Sequence, residues 1–268
     1  MSAPFGLHGV DLGFAGKPAL VGVDVPSAPG EVTVLIGADG AGKTSACRVL
    51  VGLIRPDRGE VRRPARNRLG YQPEAAGTWA ELTVAENLDF VERAHRSIDP
   101  GRRAALIETA GLSAAADRLA GRLSGGMRQK LAVIMAVLSR PELVVLDEPT
   151  TGLDPVSRAE LWRLLLRAAS EGTAVLSTTS YLEEAESADK VVVLDRGEVV
   201  ASGTARSIRE SLPGTISVTD RRPADGHFWR RGRNWRVWTP EEAGEGSAVA
   251  PDLEDVVTVA SLTRRAER

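Results

Sequence analysis

The stretch Glu31-Val-Thr-Val-Leu-Ile-Gly-Ala-Asp-Gly-Ala-Gly-Lys-Thr44 constrains the fold more than any other part of the chain. Its apolar run, Val32, Val34, Leu35 and Ile36, reads as a buried parallel strand. Gly37, Gly40, Gly42, Lys43 and Thr44 follow at the spacing of a phosphate-binding loop, and Cys47, Leu50, Val51 and Ile54 recur at helical spacing until Pro56. Strand, glycine loop and helix in that order let backbone N–H groups converge on an anion at a helix N-terminus. The expected nucleotide contacts run through Gly37, Ala38, Asp39, Gly40, Ala41, Gly42, Lys43, Thr44 and Ser45. Lys43 suits the β- and γ-phosphates and Thr44 suits Mg²⁺. The alternative is a glycine-rich turn with an accidental Lys-Thr.

A chain of 268 residues with 43% apolar content allows one large or two small domains with a proper core. A net charge of -2 gives no general pull toward nucleic acid. The single cysteine, Cys47, rules out a disulfide within the chain and fits a reducing compartment. The longest apolar run, Leu131 to Leu138, is far short of the roughly 20 residues that span a bilayer, and no signal peptide is expected. Any membrane role is therefore expected to be peripheral.

Residues 3 to 30 read as short strands with turns at Gly13 to Pro18 and Pro26 to Gly30. Phe14, in a Gly-flanked turn, is an aromatic that packs on a small sheet or stacks on a base. Arg62, Arg63, Arg66 and Arg68 read as a solvated hairpin face rather than a phosphate contact. Thr83 and Glu86 form a capping box for a helix to about Ser97, and residues 102 to 111 form another helix, ended by Gly111. This section, about 75 to 140, reads as a helical subdomain inserted in an α/β core.

Leu123-Ser-Gly-Gly-Met-Arg-Gln-Lys130 opens a helix with Met127, Leu131, Ile134 and Leu138 on one face, closed by Pro141. Its glycines leave N-terminal amides open to an anion, and an ordinary Ser cap is the alternative. Leu143 to Leu146 is an apolar strand ending in Asp147 and Glu148, which suit Mg²⁺ and a water-activating base at the carboxyl end of a central strand. Asp154 and Pro155 cap a helix with inner face Leu161, Leu164, Leu165 and Ala168, stopped by Gly172. A buried strand, Thr173 to Thr179, an acidic helix, Tyr181 to Ser187, and a hairpin of Val191 to Leu194 with Glu198 to Val200 follow. From about Ser211 the composition changes to Trp229, Trp235 and Trp238 among arginines. A strand pair packing its tryptophans on the main domain is expected here, in preference to single-stranded nucleic acid binding. A linker, Glu241 to Gly246, precedes a helix from about Asp252 to Arg265.

Phosphate loop, Ser-Gly-Gly helix and Asp-Glu strand, with a helical insert between the first two, resemble the ATPase subunit of an ABC transporter over about residues 3 to 210. The resemblance implies a P-loop NTPase core of the α/β class with a mainly parallel sheet, an N-terminal antiparallel β-subdomain, the helical insert and a small C-terminal extension, 211–268. It implies ATP and Mg²⁺ as cofactors, with Phe14 stacked on adenine and Thr44, Asp147 and Glu74 around the metal. Leu123, Ser124, Gly125, Gly126 and Met127 match the signature motif that serves a partner subunit's ATP, and Asp154 matches the D-loop at that interface. The partners implied are a second ABC ATPase subunit and integral membrane permease subunits, at the cytoplasmic face of the membrane, with no nucleic acid. Leu82-Thr-Val-Ala-Glu-Asn-Leu88 and Leu253-Glu-Asp-Val256 are most similar to ATPases of the ABC-2 export branch.

Two positions depart from the family pattern. Glu74 stands at the Q-loop glutamine, eight residues before Leu82, with Gln72 too early to replace it. Ser180 stands at the switch histidine before Tyr-Leu-Glu-Glu-Ala185, and the only histidines are His8, His95 and His227. Glu74 adds negative charge near phosphate, and Ser180 removes a charge-assisted donor worth roughly 1.5 to 3 kcal/mol in binding and roughly 10² to 10³ in rate. With Glu148 retained, the expected set is Glu148, Lys43, Glu74 and Ser180 in a slow own site, within an asymmetric heterodimer. A non-hydrolysing regulatory subunit is the rival. A soluble ABC protein of DNA repair or translation would need a coiled-coil insert or twin cassettes, and this sequence has neither.

Overall fold

The computed structural model describes residues 5–95, 99–240 and 247–266. Two long strands, β1 (Phe5–Phe14) and β2 (Lys17–Ser27), lead into β3 (Val32–Ile36), which is buried at every position. Helix α1 (Lys43–Leu50), β4 (Arg58–Arg62) and β5 (Leu69–Gln72) precede the helical section α2 (Val84–Ala94), α3 (Pro100–Thr109) and α4 (Gly125–Val137). Then come β6 (Leu143–Leu146), α5 (Pro155–Ser170), β7 (Ala174–Thr179), α6 (Leu182–Ala185), β8 (Lys190–Asp195) and β9 (Glu198–Gly203). Last are α7 (Ala205–Glu210), β10 (Thr215–Thr219), β11 (His227–Arg231), β12 (Asn234–Thr239), β13 (Ser247–Val249) and α8 (Leu253–Ala266). The chain forms two compact units, Met1–Val199 and Val200–Arg268, divided within β9.

Full burial on both faces is what a central parallel strand requires, and β3 lies between β7 and β8 in the order β5-β6-β7-β3-β8-β9. β5, β6, β7, β3 and β8 all run parallel, so their carboxyl ends share one edge. β1, β2 and β4 form a separate antiparallel sheet in the order β2-β1-β4. Leu7, Val10, Leu20, Val23, Leu35, Cys47, Leu50, Leu143 and Val192 belong to one core that this sheet shares with the parallel one. The N-terminal strands are longer than the short ones expected. The first turn shrinks to Ala15 and Gly16, both at positive φ, and register shifts along β1 absorb interior glycines.

Local signals in the helical section hold where side chains close their own turn. Thr83 Oγ1 accepts from the Glu86 N–H at 3.1 Å while Glu86 Oε2 accepts from the Thr83 N–H at 2.7 Å, which caps α2. Ser97, the expected end of that helix, lies outside the described residues. Helix α4 is buried from Lys130 to Ile134, but Met127 is only half-buried and does not join Leu131 and Ile134 in the core. Arg102 is buried and donates to the Val137 and Leu138 carbonyls at the end of α4, and it pairs with Glu171 past the end of α5. Lys130 Nζ pairs with Glu160 Oε2 at 2.7 Å and joins the same two helices midway.

All four arginines of the run, Arg62, Arg63, Arg66 and Arg68, are exposed, as expected of a solvated face. Arg62 pairs with Glu60 on exposed β4, whereas Arg63 donates to the Leu50 carbonyl at the end of α1 and Arg68 pairs with Glu142. The acidic helix shortens to α6, and the hairpin turns through Arg196 and Gly197, both at positive φ. In the second unit the expected strand pair is a four-stranded sheet, β11-β12-β10-β13. Its core is its own: Trp238, Ile216 and Val259 of α8 pack together, with Trp229 against them and Trp238 Nε1 donating to the Pro213 carbonyl at 2.7 Å. The linker 241–246 lies outside the described residues. Among the described residues no helix is long and apolar enough to cross a membrane.

Replacing Arg102 with Ala leaves two helix-end carbonyls without their donor and Glu171 with only Arg167, at 3.2 Å, and the more distant Arg140. The expected loss is about 3 kcal/mol of stability in the first unit, seen as an earlier urea transition, while Arg62→Ala leaves the transition where it was.

Candidate nucleotide-binding site

The phosphate loop is gripped from two sides. A Cβ on Gly37 would meet the Leu194 carbonyl at 2.4 Å and the Ala41 Cβ at 2.7 Å, so only glycine fits where β3 ends. The Gly197 N–H donates to the Ala41 carbonyl at 2.8 Å, and the Gly197 carbonyl accepts from the Val21 N–H at 2.8 Å. The β8–β9 turn thus ties the loop to β2, and a Cβ on Gly197 would meet the Ala19 carbonyl at 2.5 Å.

Lys43 opens α1 and is buried. Its ammonium donates to the Gly37 carbonyl at 2.6 Å and the Ala38 carbonyl at 3.2 Å, and pairs with Glu148 Oε1 at 2.9 Å. Glu148 adopts φ 51, an uncommon backbone for a residue with a side chain. Its N–H donates to Thr178 Oγ1 at 2.9 Å, and its Oε2 accepts from Thr151 Oγ1 at 2.8 Å. Thr178 in turn donates to Asp147 Oδ1 at 2.9 Å, and Thr44 Oγ1 donates to the same oxygen at 3.2 Å.

Asp147 is fully buried, and its Oδ2 has no hydrogen-bond partner. Burial pushes its carboxyl above the usual range, the Thr178 and Thr44 hydroxyls pull it back, and the Glu148 charge adds to the rise. A divalent cation would supply the positive charge and the oxygen contact that this carboxylate lacks. Thr44 and Asp147 therefore fit Mg²⁺. Among the described residues no three His, Cys, Asp or Glu side chains gather as a metal cage, so the remaining oxygens would come from phosphate and solvent.

A cavity of about 700 Å³ opens over the loop. Ala38, Asp39, Gly40, Gly42, Lys43, Thr44 and Ser45 line it, with Glu148, Glu74 and Ser180 across from them and half-exposed Phe14 on one wall. Gly37 and Ala41 are buried under the loop and are not on the wall. Gln72 is buried and turned elsewhere: its Nε2 donates to the Pro73 carbonyl at 2.5 Å and to Gln129 Oε1 at 3.2 Å. Leu123, Ser124, Gly125, Gly126, Met127 and Asp154 do not line the cavity. Leu123 is buried, whereas Ser124 is exposed: Ser124 Oγ accepts from the Met127 N–H at 3.2 Å, and a Cβ on Gly126 would come within 3.2 Å of Leu153. Asp154 caps α5 through the Val156 and Ser157 N–H groups at 3.0 Å, and bonds to Ser157 hold its carboxyl below the usual range.

Four wall residues escaped the sequence reading: Pro18, Ala19, Thr151 and Arg196. Thr151 had a usable signal, since it stands one turn after Glu148. Arg196 had the Asp-Arg-Gly turn, which says where the chain reverses but not what the turn faces.

Comparisons with known proteins identify the family. The ABC transporter family model matches residues 20–151. A daunorubicin resistance ATP-binding protein, DrrA3, of Streptomyces coeruleorubidus is 38% identical over 222 residues, which cover 78% of this chain and 70% of that protein. The chain belongs to the ABC transporter ATPase family. A probable multidrug ABC transporter ATP-binding protein, YbhF, of Escherichia coli K12 is 38% identical over 78% of this chain and 39% of its own length. This ABC ATPase thus spans about two fifths of that relative. A solved structure described as the ATP-binding subunit of an ABC transporter matches with TM-score 0.70 and 29% identity, covering 78% of this chain and 92% of its own. The P-loop NTPase fold and the family expected from the motifs are both found.

If Thr44 and Asp147 hold the cation, Asp147→Asn should weaken binding of a fluorescent ATP analogue at least about tenfold in Mg²⁺ and leave binding in excess EDTA within about twofold of wild type. Equal affinities with Mg²⁺ would remove Asp147 from the metal site.

Proposed function

We propose that this chain is the ATP-binding subunit of an ABC exporter, coupling ATP binding and hydrolysis to movement of a substrate through separate membrane subunits. The observation that carries the reading is the convergence of Lys43, Thr44 and Glu148 on one cavity with Phe14 on its wall. Lys43 neutralises the β- and γ-phosphates, Thr44 and Asp147 hold Mg²⁺, and Phe14 stacks on the base. The bound Mg²⁺ supplies charge neutralisation on the phosphate oxygens. Glu148 orients and deprotonates water, and this requires it to leave Lys43, which phosphate oxygens compete to hold. Export is favoured because the relatives' printed names are of multidrug and daunorubicin resistance proteins.

Turnover at this chain's own site is slow. Glu74 adds a further negative charge to a wall that already carries Asp39 and Glu148, and Ser180 offers a short neutral hydroxyl in place of a cationic donor. Ser124 and Asp154 lie off the wall and serve a partner subunit's nucleotide, so a heterodimer with a faster partner site follows. The same two residues favour the second reading, a regulatory subunit that binds ATP and does not hydrolyse it.

The membrane subunits need a docking surface linked to the cavity. A groove of about 250 Å³ offers one: Trp79 and Phe90 are 40% and 52% exposed there, their ring centroids 4.3 Å apart, above Tyr71 and Met135. The segment that holds Glu74 in the cavity continues directly to Trp79 in the groove. A short apolar helix of the membrane subunit seated on these rings would feel any movement of Glu74.

Steady-state ATPase assays test the site. Ser180→His with Glu74→Gln should raise turnover at least about tenfold and tighten ATP binding by about tenfold or more, and Glu148→Gln should abolish turnover. If the double variant stays inactive while binding persists, the regulatory reading replaces the slow hydrolase. For the groove, Trp79→Glu with Phe90→Ala should move the chain from the membrane to the soluble fraction of its source cells with ATP binding intact.

A further inference from the structure

Glu184 stands outside the cavity wall, yet it is 3% exposed and neither of its carboxyl oxygens has a hydrogen-bond partner. Its neighbours share the defect. Thr150 Oγ1 and Arg158 Nε are also buried and unpartnered. Arg158 Nε stands 3.7 Å from Glu184 Oε1 and its Nη1 3.7 Å from Glu183 Oε2, while the guanidinium lies 4.2 Å above the Tyr181 ring. On the other side, Thr179 Oγ1 accepts from the Tyr181 N–H at 3.0 Å, which leaves its hydroxyl proton for another acceptor. Burial pushes the Glu184 carboxyl above its usual range, against the pull of the Thr150 and Thr179 hydroxyls and Arg158, and the nearby Glu148 charge adds to the push.

These groups come from three segments, each of which carries a residue of the proposed chemistry. Thr150 lies between Glu148 and Asp154. Thr179, Tyr181 and Glu184 flank Ser180. Arg158 is in the first turn of α5, its N–H bonded to the Asp154 carbonyl at 3.0 Å. One buried carboxyl therefore sits where the water-activating segment, the γ-phosphate segment and the partner-facing cap meet.

A half-satisfied polar network in a low-dielectric interior is poorly stable as it stands. A gap of 3.7 Å is too long for a hydrogen bond, and a shift of less than 1 Å, roughly, of α5 toward α6 closes it. The cluster is open as observed, and closing that gap would let Glu184 bridge Thr150 and Arg158. We propose that Glu184 is a positioning residue that closes this bridge, so that Glu148, Asp154 and Ser180 move as one when the partner subunit presses on Asp154. The inference rests on the roles given to those three residues above.

The test uses the full chain with Glu184→Ala and Glu184→Gln, measuring kcat and KM for MgATP together with amide hydrogen exchange. Glu184→Ala should lower kcat about tenfold with KM within about twofold, and Glu184→Gln, which keeps the shape and hydrogen bonds of a neutral carboxyl, should restore kcat to within about twofold of wild type. Exchange should quicken in residues 148–154 and 180–184 together in the Ala variant and stay unchanged in α1. Unchanged kcat in Glu184→Ala, a Gln variant as slow as the Ala variant, or faster exchange confined to α6 overturns the proposal. If the wild-type chain itself does not turn over, the hydrolase reading fails separately, and the exchange pattern alone decides the role of Glu184.

Discussion

Lys43 is a largely buried ammonium on the cavity wall, and the residues around it answer its charge. Two loop carbonyls and the Glu148 carboxylate take its three protons. Glu148 is itself fixed through its N–H and through Thr151, at a backbone angle few residues adopt. Because the same carboxylate neutralises the lysine and is the candidate base, an anion that draws Lys43 away also frees Glu148. Anion binding and release of the candidate base are then linked by one electrostatic exchange.

The parallel sheet explains why these groups meet at all. Since β5, β6, β7, β3 and β8 run the same way, the residues just past their ends emerge on one edge: Glu74, Asp147 with Glu148, Ser180, Gly37 and Arg196. Five segments distant in sequence are neighbours for that reason alone. Thr178 near the end of β7 and Thr44 in α1 then supply the hydroxyls that donate to Asp147 Oδ1, and Thr178 also accepts from the Glu148 N–H.

Those parts of the structure governed by local rules were legible in the sequence. The glycine loop between an apolar strand and a helix, the Thr83–Glu86 box and the Asp154–Pro155 cap each close over a few residues, and each is present. Asp147 and Glu148 were legible because an all-apolar strand has to be central, and its next residues have to reach the sheet edge. Pro18, Ala19 and Arg196 were not, because their position on the wall depends on hydrogen bonds between β2, the loop and the β8–β9 turn. The tryptophans of the second unit were misjudged for a related reason. Composition announces buried rings, but α8 and the four-stranded sheet decide that those rings serve a core of their own.

Helices α4 and α5 begin at Ser124 and Asp154 and are fastened three times along their length. Gly126 leaves no spare room against Leu153, Lys130 holds Glu160, and Arg102 clamps the last carbonyls of α4 to Glu171. The two helices are thus joined as one fork, whose tips are the capping residues Ser124 and Asp154. A distance probe on either tip would report the same displacement, and a change at the fork's handle, far from any nucleotide, would be read out at both tips together.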